Sequence, residues 1–379
     1  MNSMTDPRPG IVVGVDAHTD THDAAVLDDC GRLLATRTFS ADAGGYRELT
    51  AWIGRFGPVV AIGVESTGSY AAGLVRHLRA EGLEVLEVNQ PHAHTRRRRG
   101  KSDPIDAELA ARHVLAASSI VIAKDTTGIV EAIRQLRVAR DGAVKARSAA
   151  LNALTGLIVT APEQLRRQLL ARKTTRARAT LCARLRPDQA RLHEPGQAAK
   201  AALRSLARRV VDLDAEIDLL DRQLKRLVAT AAPVTSSRVA VSTGHAGALL
   251  VTAGQNIERL RHEASFAALC GANPIPVSTG RTDRHRLNYG GDRDANRALH
   301  MIAVCRLRHC ERTRAYAERR TADGKTKTEI IRCLKRYIAR EIYHALIADL
   351  QPPTSRQRPD PIVSITCGAG TIGRTVSTT

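Results

Sequence analysis

Four carboxylates, one serine and a run of arginines are the side chains whose types and spacing could do chemistry together. Asp103 and Asp106 stand three apart, directly after the bare cations Arg96, Arg97, Arg98, Arg99 and Lys101. Residues three apart on a helix share a face, so both carboxylates can point at one spot beside those charges. Read locally, the same stretch is simply a helix start, with Asp103 as N-cap, Pro104 as first helical residue and Asp106 as an acidic N3 residue. Asp16 and Glu65 also have local readings, as a turn residue and a strand-end charge. What joins the four is that Asp16 and Glu65 each close an apolar strand pattern. Carboxylates converging at one sheet edge repel one another and need a counter-charge. Hard divalent cations with oxygen ligands supply it, and two such ions about 3.5–4 Å apart suit displacement at phosphorus.

The elements that must position these groups follow from hydrophobic spacing. Residues 11–15, 23–28 and 32–39 read as three strands, the last two joined by a turn at 28–31. A helix over 44–56 ends at Gly57-Pro58, a strand over 59–64 closes on Glu65, and a helix over 70–80 leads to a strand over 84–88. The helix beginning near Asp103 completes the unit. Three meandering strands followed by helix, strand, helix, strand and helix is the order of a ribonuclease-H-like α/β domain. Ligands of open α/β sheets bind off the carboxyl ends of the strands, where Asp16 and Glu65 fall.

Beyond this domain (10–125) the spacing predicts one or two long helices over 126–160, then a loosely helical, arginine-heavy connector over 163–200. Leu203, Leu206, Val210, Leu213, Ile217, Leu220, Leu224 and Leu227 form a heptad seam. Its expected partner is the 126–160 helix or the same segment of another subunit, with self-association favoured. A third region, 233–350, holds a small-residue stretch (239–253), a helix (258–270), an exposed basic loop (271–297) and helices over 294–310 and 327–348. The last of these carries Lys335, Arg336 and Arg340. Residues 351–379 are Pro/Ser/Thr/Gly-rich and read as a disordered tail. Ser278 lies in the basic loop among Arg281, Arg284, Arg286 and Arg293. Arginines there would stabilise a phosphoryl transition state, yet no base for the serine is assignable from spacing.

Composition narrows the partners. The 379 residues carry a formal charge of +20, which predicts attraction to a polyanion. Residues 1–124 hold 14 Lys+Arg against 15 Asp+Glu, so the excess lies in the body that follows. Seven scattered cysteines without a C-x-x-C pair argue against a zinc cluster and for a reducing compartment. With no apolar run near ~18 residues, the expectation is no membrane association and a cytoplasmic, nucleoid-associated location. The 3% aromatic content disfavours extensive base stacking.

With these residues in view, the chain resembles the DEDD-type transposases of bacterial insertion sequences, the insertion sequence 110 family. The resemblance spans roughly 10–348 and rests on four stretches in order. They are Gly14-Val-Asp16-Ala-His-Thr-Asp-Thr-His22, Gly63-Val-Glu65-Ser-Thr-Gly-Ser-Tyr70, Lys101-Ser-Asp103-Pro-Ile-Asp106, and Cys270-Gly-Ala-Asn-Pro-Ile-Pro-Val-Ser278-Thr-Gly-Arg-Thr with Arg286-Leu-Asn-Tyr-Gly-Gly-Asp-Arg-Asp-Ala-Asn-Arg-Ala-Leu299. It implies a RuvC-like N-terminal domain with Asp16, Glu65, Asp103 and Asp106 as a Mg²⁺-binding catalytic tetrad. It also implies a coiled-coil segment and a mainly helical C-terminal transposase domain whose catalytic serine matches Ser278. The expected partners are DNA (element ends and target), a bridge-type non-coding RNA, and further copies of the chain as dimer or tetramer. Three departures stand out. Thr19 occupies a position often held by lysine, the family's serine pair is Ser278-Thr279 here, and 239–248 lacks a Gly-x-Gly. Which of Ser278 and Thr279 would attack stays open. The rival readings are a junction-resolving nuclease using metal-activated water and an inactivated copy that only binds RNA or DNA.

Overall fold

A computed structural model describes residues 10–65, 67–88, 102–117, 120–279 and 282–351. The expected cations Arg96 to Arg99, Lys101 and Arg281, and the expected tail beyond Gln351, lie outside the described residues.

The N-terminal part is built on a six-stranded sheet in the order β3-β2-β1-β4-β5-β6. Its strands are β1 (Ile11–Ala17), β2 (Thr21–Leu27), β3 (Leu33–Ser40), β4 (Val59–Val64), β5 (Val85–Val88) and β6 (Ile120–Ile122). β1 pairs antiparallel with β2 and parallel with β4, and β4 is parallel to β5. This is the ribonuclease-H-like arrangement. The central β1 is buried throughout, as a run of Ile and Val flanked by strands on both sides requires. β6, which spacing did not reveal, adds an antiparallel edge to β5. Three residues are too few to show a period.

Helices cover both faces. On one, α1 (Ala43–Ile53) and α2 (Ala72–Ala80) bury Leu49, Trp52, Ile53, Leu74 and Leu78 against Val13, Val15 and Ile62. On the other lies α3 (Asp103–Leu115), and here two glycines decide the geometry. A Cβ on Gly14 would fall 2.1 Å from the Ala107 carbonyl oxygen and 2.2 Å from the Ala111 nitrogen. One on Gly63 would fall 2.5 Å from Val114 Cγ2 and 3.0 Å from the Ala110 oxygen. Only without side chains at both positions can α3 lie with its backbone on the strands.

A two-helix arm follows. α4 (Ile129–Thr160) and α7 (Pro195–Ala231) run antiparallel, with Arg140 bonded to Asp221 at 2.5 Å and Arg147 to Asp214. The heptad seam therefore meets α4 of its own chain, where Leu203, Val210, Leu220 and Leu224 are buried. The basic connector is more ordered than its composition suggests. It contains α5 (Glu163–Leu170) and α6 (Thr175–Ala183), whose Leu165, Leu169, Ala179 and Cys182 join Leu154, Leu203 and Val210 in one core. Arginine-rich faces hid the few apolar positions that carry the packing.

The remaining chain is helical apart from one hairpin. α8 (Pro233–Ser236), α9 (Thr243–Ala253), α10 (Glu263–Leu269), α11 (Arg293–His309), α12 (Glu311–Ala322) and α13 (Lys327–Leu350) surround Phe266, Leu249, Leu299, Ile302, Ile338 and Ile342. The small-residue stretch over 239–253, which lacks a Gly-x-Gly, forms the largely buried helix α9 from Thr243 on. Ser242 Oγ accepts from the His245 nitrogen at 3.3 Å, and His245 Nδ1 accepts from the Ser242 nitrogen in return. The basic loop over 271–297 likewise contains two strands, β7 (Ile275–Thr279) and β8 (Thr282–Arg286). Buried Arg259 ties this part to the sheet edge by donating to Glu87 Oε2 at 2.9 Å and to the Ile122 oxygen at 2.6 Å.

Gly14→Ala is expected to lower stability in urea unfolding by about 1–3 kcal/mol, the cost of overpacking a close contact. Gly68→Ala, where an added Cβ meets nothing within 4 Å, should change it by under about 0.5 kcal/mol. Equal stability of the two variants would refute the close-contact reading of Gly14.

Candidate active site

Asp16 is near the carboxyl end of β1, and the β1–β2 register sets it opposite Asp23. Because opposed residues in an antiparallel pair share a face, both carboxylates belong to the α3 side of the sheet. Thr38 Oγ1 donates to Asp23 Oδ1 at 2.5 Å and fixes that side chain. Glu65 follows β4 directly, and its nitrogen donates to the Val15 oxygen at 3.1 Å, which holds it one strand away from Asp16. α3 supplies the rest from its first turn. The expected cap is shifted by one residue: Ser102 is the N-cap, Asp103 the first helical residue and Pro104 the second. Proline fits either place because first-turn N–H groups have no partner within the helix. The Asp106 nitrogen donates to the Ser102 oxygen at 3.0 Å, and its side chain is turned inward, 1% exposed.

His18 completes the cluster. Its Nε2 stands 3.3 Å from Asp16 Oδ2 and 3.3 Å from Asp103 Oδ1. Ligand atoms of Asp16, His18 and Asp103 all lie within 4.8 Å of one another, a spacing that fits one metal ion. Glu65 and Asp106 border this trio without joining it at that spacing. Burial pushes the Asp16 carboxyl above the ordinary carboxylate range. His18 opposes that shift, while Asp106, Asp103 and Asp23 add to it. A cluster of mutually repelling carboxylates, most of them buried, with an imidazole beside it is a donor set that a divalent cation would relieve. Sequence reasoning missed Asp23 and His18. Strand alternation across the turn would have found Asp23, whereas His18 lies beyond the strand end, where no period operates.

Ser278 is on the separate two-stranded sheet, opposite Asp283, with Thr279 opposite Thr282. Arg284 and Arg286 belong to β8, and Arg293 is the exposed first residue of α11. Most of the motif after the hairpin is scaffold. Gly271 has a φ of +61°, and a Cβ on Gly291 would fall 2.1 Å from its nitrogen. Asn296 Nδ2 donates to the carbonyl oxygens of Cys270 at 2.8 Å and Gly271 at 3.0 Å. Asp292 caps α11, accepting from the nitrogens of Asp294 and Ala295 at 2.9 Å.

A ribonuclease-H-like sheet with carboxylates at its carboxyl edge, joined to a basic helical body, fits an enzyme that acts on nucleic-acid strands. Two protein-family models match the chain and sharpen that reading. The DEDD transposase model of the IS110 group covers residues 13–161, and the model described as "Transposase IS116/IS110/IS902 family" covers residues 239–318. Together they span more than half of the chain, which belongs to the IS110 family of transposases and is a DNA-cleaving and recombining enzyme. No curated protein matches it. Among the described residues, no helix is long and apolar enough to cross a membrane.

The raised Asp16 pKa carries a signed prediction for metal-free protein. A carboxyl whose folded pKa exceeds its unfolded value disfavours folding once ionised. The penalty is absent below the ordinary carboxylate range and complete above the raised value. Asp16→Asn is therefore expected to raise the melting temperature at neutral pH without metal and to leave it unchanged in strong acid. A lower melting temperature at neutral pH would show that the His18 contact outweighs the repulsion.

Proposed function

We propose that this transposase exchanges DNA strands of an insertion sequence with Ser278 as nucleophile, at a site completed by Asp16, Glu65, Asp103 and Asp106. The observation that carries the reading is the convergence of Asp16, His18 and Asp103 ligand atoms within 4.8 Å at the sheet edge. A pair of Mg²⁺ ions held by the four carboxylates would supply Lewis-acid stabilisation of charge developing on the phosphoryl oxygens. The protein's own groups do the rest. His18 orients Asp16 and Asp103. Arg281, Arg284 and Arg286 neutralise the phosphate approached by the serine. Ser278 Oγ forms a bond to phosphorus as one DNA oxygen leaves, so the serine gives up a proton and the leaving oxygen gains one. Attack by a DNA hydroxyl on the phosphoserine then restores the serine. Residues 10–125 serve as the catalytic domain, 126–232 as a helical arm for assembling dimers or tetramers, and 233–350 as the serine-bearing domain. The basic body, with Arg96 to Arg99, Lys101 and Arg293, binds DNA and a bridge-type RNA through phosphates.

The test incubates the full chain with element-end DNA, the element's flanking non-coding RNA and Mg²⁺, and reads a denaturing gel for a protein–DNA adduct. An adduct that disappears in Ser278→Ala and persists in Thr279→Ala is the expected result. Cleaved DNA without an adduct in either the parent protein or Ser278→Ala would replace this reading with a nuclease that uses water.

A further inference from the structure

Beneath the β7–β8 hairpin, away from the carboxylate cluster, lies a pocket of about 420 Å³ between the 271–274 turn, residues 285–288 and the starts of α12's last turn and α13. Its walls are strongly basic. Arg286, Lys325, Arg332 and Lys335 line it, and none forms an ion pair among the described residues. Glu329 is the one acid in the lining, and its carboxylate is already engaged, accepting from the Thr326 nitrogen at 2.9 Å and hydroxyl at 2.7 Å. Arg320 also lines the pocket. It bonds Asp323 at 2.9 Å, but its Nε is shut off from solvent and has no acceptor among the described residues.

Lys335 is the decisive residue. It is only 5% exposed, and among the described residues its Nζ donates to one neutral partner, Asn296 Oδ1, at 2.5 Å. Asn296 is in turn committed to the Cys270 and Gly271 carbonyls, so the lysine is aimed by the same scaffold that carries the hairpin. Burial drives the Lys335 pKa down and that of the adjacent Cys270 thiol up, so the thiol provides no counter-charge. A buried ammonium without a carboxylate is costly unless an anion completes it. At the rim stands Tyr337, 59% exposed and braced edge-on by Tyr316 at 5.6 Å between ring centroids. A cationic floor below an exposed aromatic ring matches one nucleotide, with its phosphate inside and its base against the ring. The volume exceeds what a bare phosphate fills and lies within the range of small-ligand pockets.

We propose that this pocket receives one unstacked nucleotide of a single strand, with its phosphate at Lys335 and Arg332 and its base on Tyr337. The inference rests on the chain acting on DNA strands but not on which residue is the nucleophile. A binding assay without strand cleavage therefore separates its failure from that of the serine reading.

The experiment measures fluorescence anisotropy of the full-length protein with a short fluorescein-labelled oligothymidine, an abasic strand of equal length, and a duplex. Lys335→Met is expected to weaken single-strand binding about tenfold and to reduce the salt slope by about 0.7, the loss of one phosphate contact. Tyr337→Ala should weaken the base-bearing strand by at least about fivefold and leave the abasic strand unchanged. Arg308→Ala, an exposed cation outside the pocket, is the reference for non-specific charge loss. The proposal is overturned if Lys335→Met and Tyr337→Ala bind the single strand no worse than Arg308→Ala. It is equally overturned if Tyr337→Ala acts alike on abasic strand, or if both variants weaken duplex as much as single strand. Should Lys335→Met fail to fold by circular dichroism, the rim variant Tyr337→Ala still decides the question.

Discussion

The contact on which the N-terminal site depends is the bare-backbone approach of α3 to β1 and β4. Gly14 and Gly63 leave room for the Ala107 and Ala110 carbonyls to rest where side chains would stand. That approach sets the height of the helix above the sheet and, with it, the position of its first turn. Asp103 and Asp106 then reach the edge already occupied by Asp16, with Glu65 one strand away. Van der Waals packing with no chemistry of its own thus fixes the spacing of the groups that have it.

Packing brings the carboxylates together, and electrostatics then opposes their closeness. Asp16 is buried beside Asp23, Asp103 and Asp106, so its charged form is disfavoured. His18 answers part of that repulsion by lying 3.3 Å from two carboxylates at once. Such an arrangement stores a preference for a bound cation in the fold itself. The C-terminal part mirrors this logic with the opposite sign. There, buried Lys335 is positioned by Asn296 and has no carboxylate partner among the described residues, a setting that favours a bound anion.

How much of this was legible in the sequence depended on the length and purity of each pattern. The first five strands and the helices between them were readable because each is bounded by turn residues and carries a run or period of apolar side chains. The tetrad could be named because Asp16 and Glu65 end such runs. β6 has only three residues, and α5 and α6 show few apolar positions among many arginines, so neither announced itself. The stretch around Ser278 reads as a loop because its prolines and glycine mask strand pairing with β8. The seam on α7 was plain, but a seam does not say which surface it meets. His18 and Lys335 illustrate a deeper limit, since their settings arise from contacts far apart in sequence: a helix turn against a strand end, and α13 against α11.

Backbone packing of α3 on the sheet, as much as the acids themselves, sets the spacing on which the proposed cation site rests. The most direct measurement is Mn²⁺ binding, followed by electron paramagnetic resonance, to the parent protein and to Gly14→Ala below its melting temperature. Gly14→Ala, with every carboxylate and His18 intact, is expected to lose most of its affinity for the ion. Undiminished affinity in a variant whose helix has been forced off the sheet would contradict that expectation.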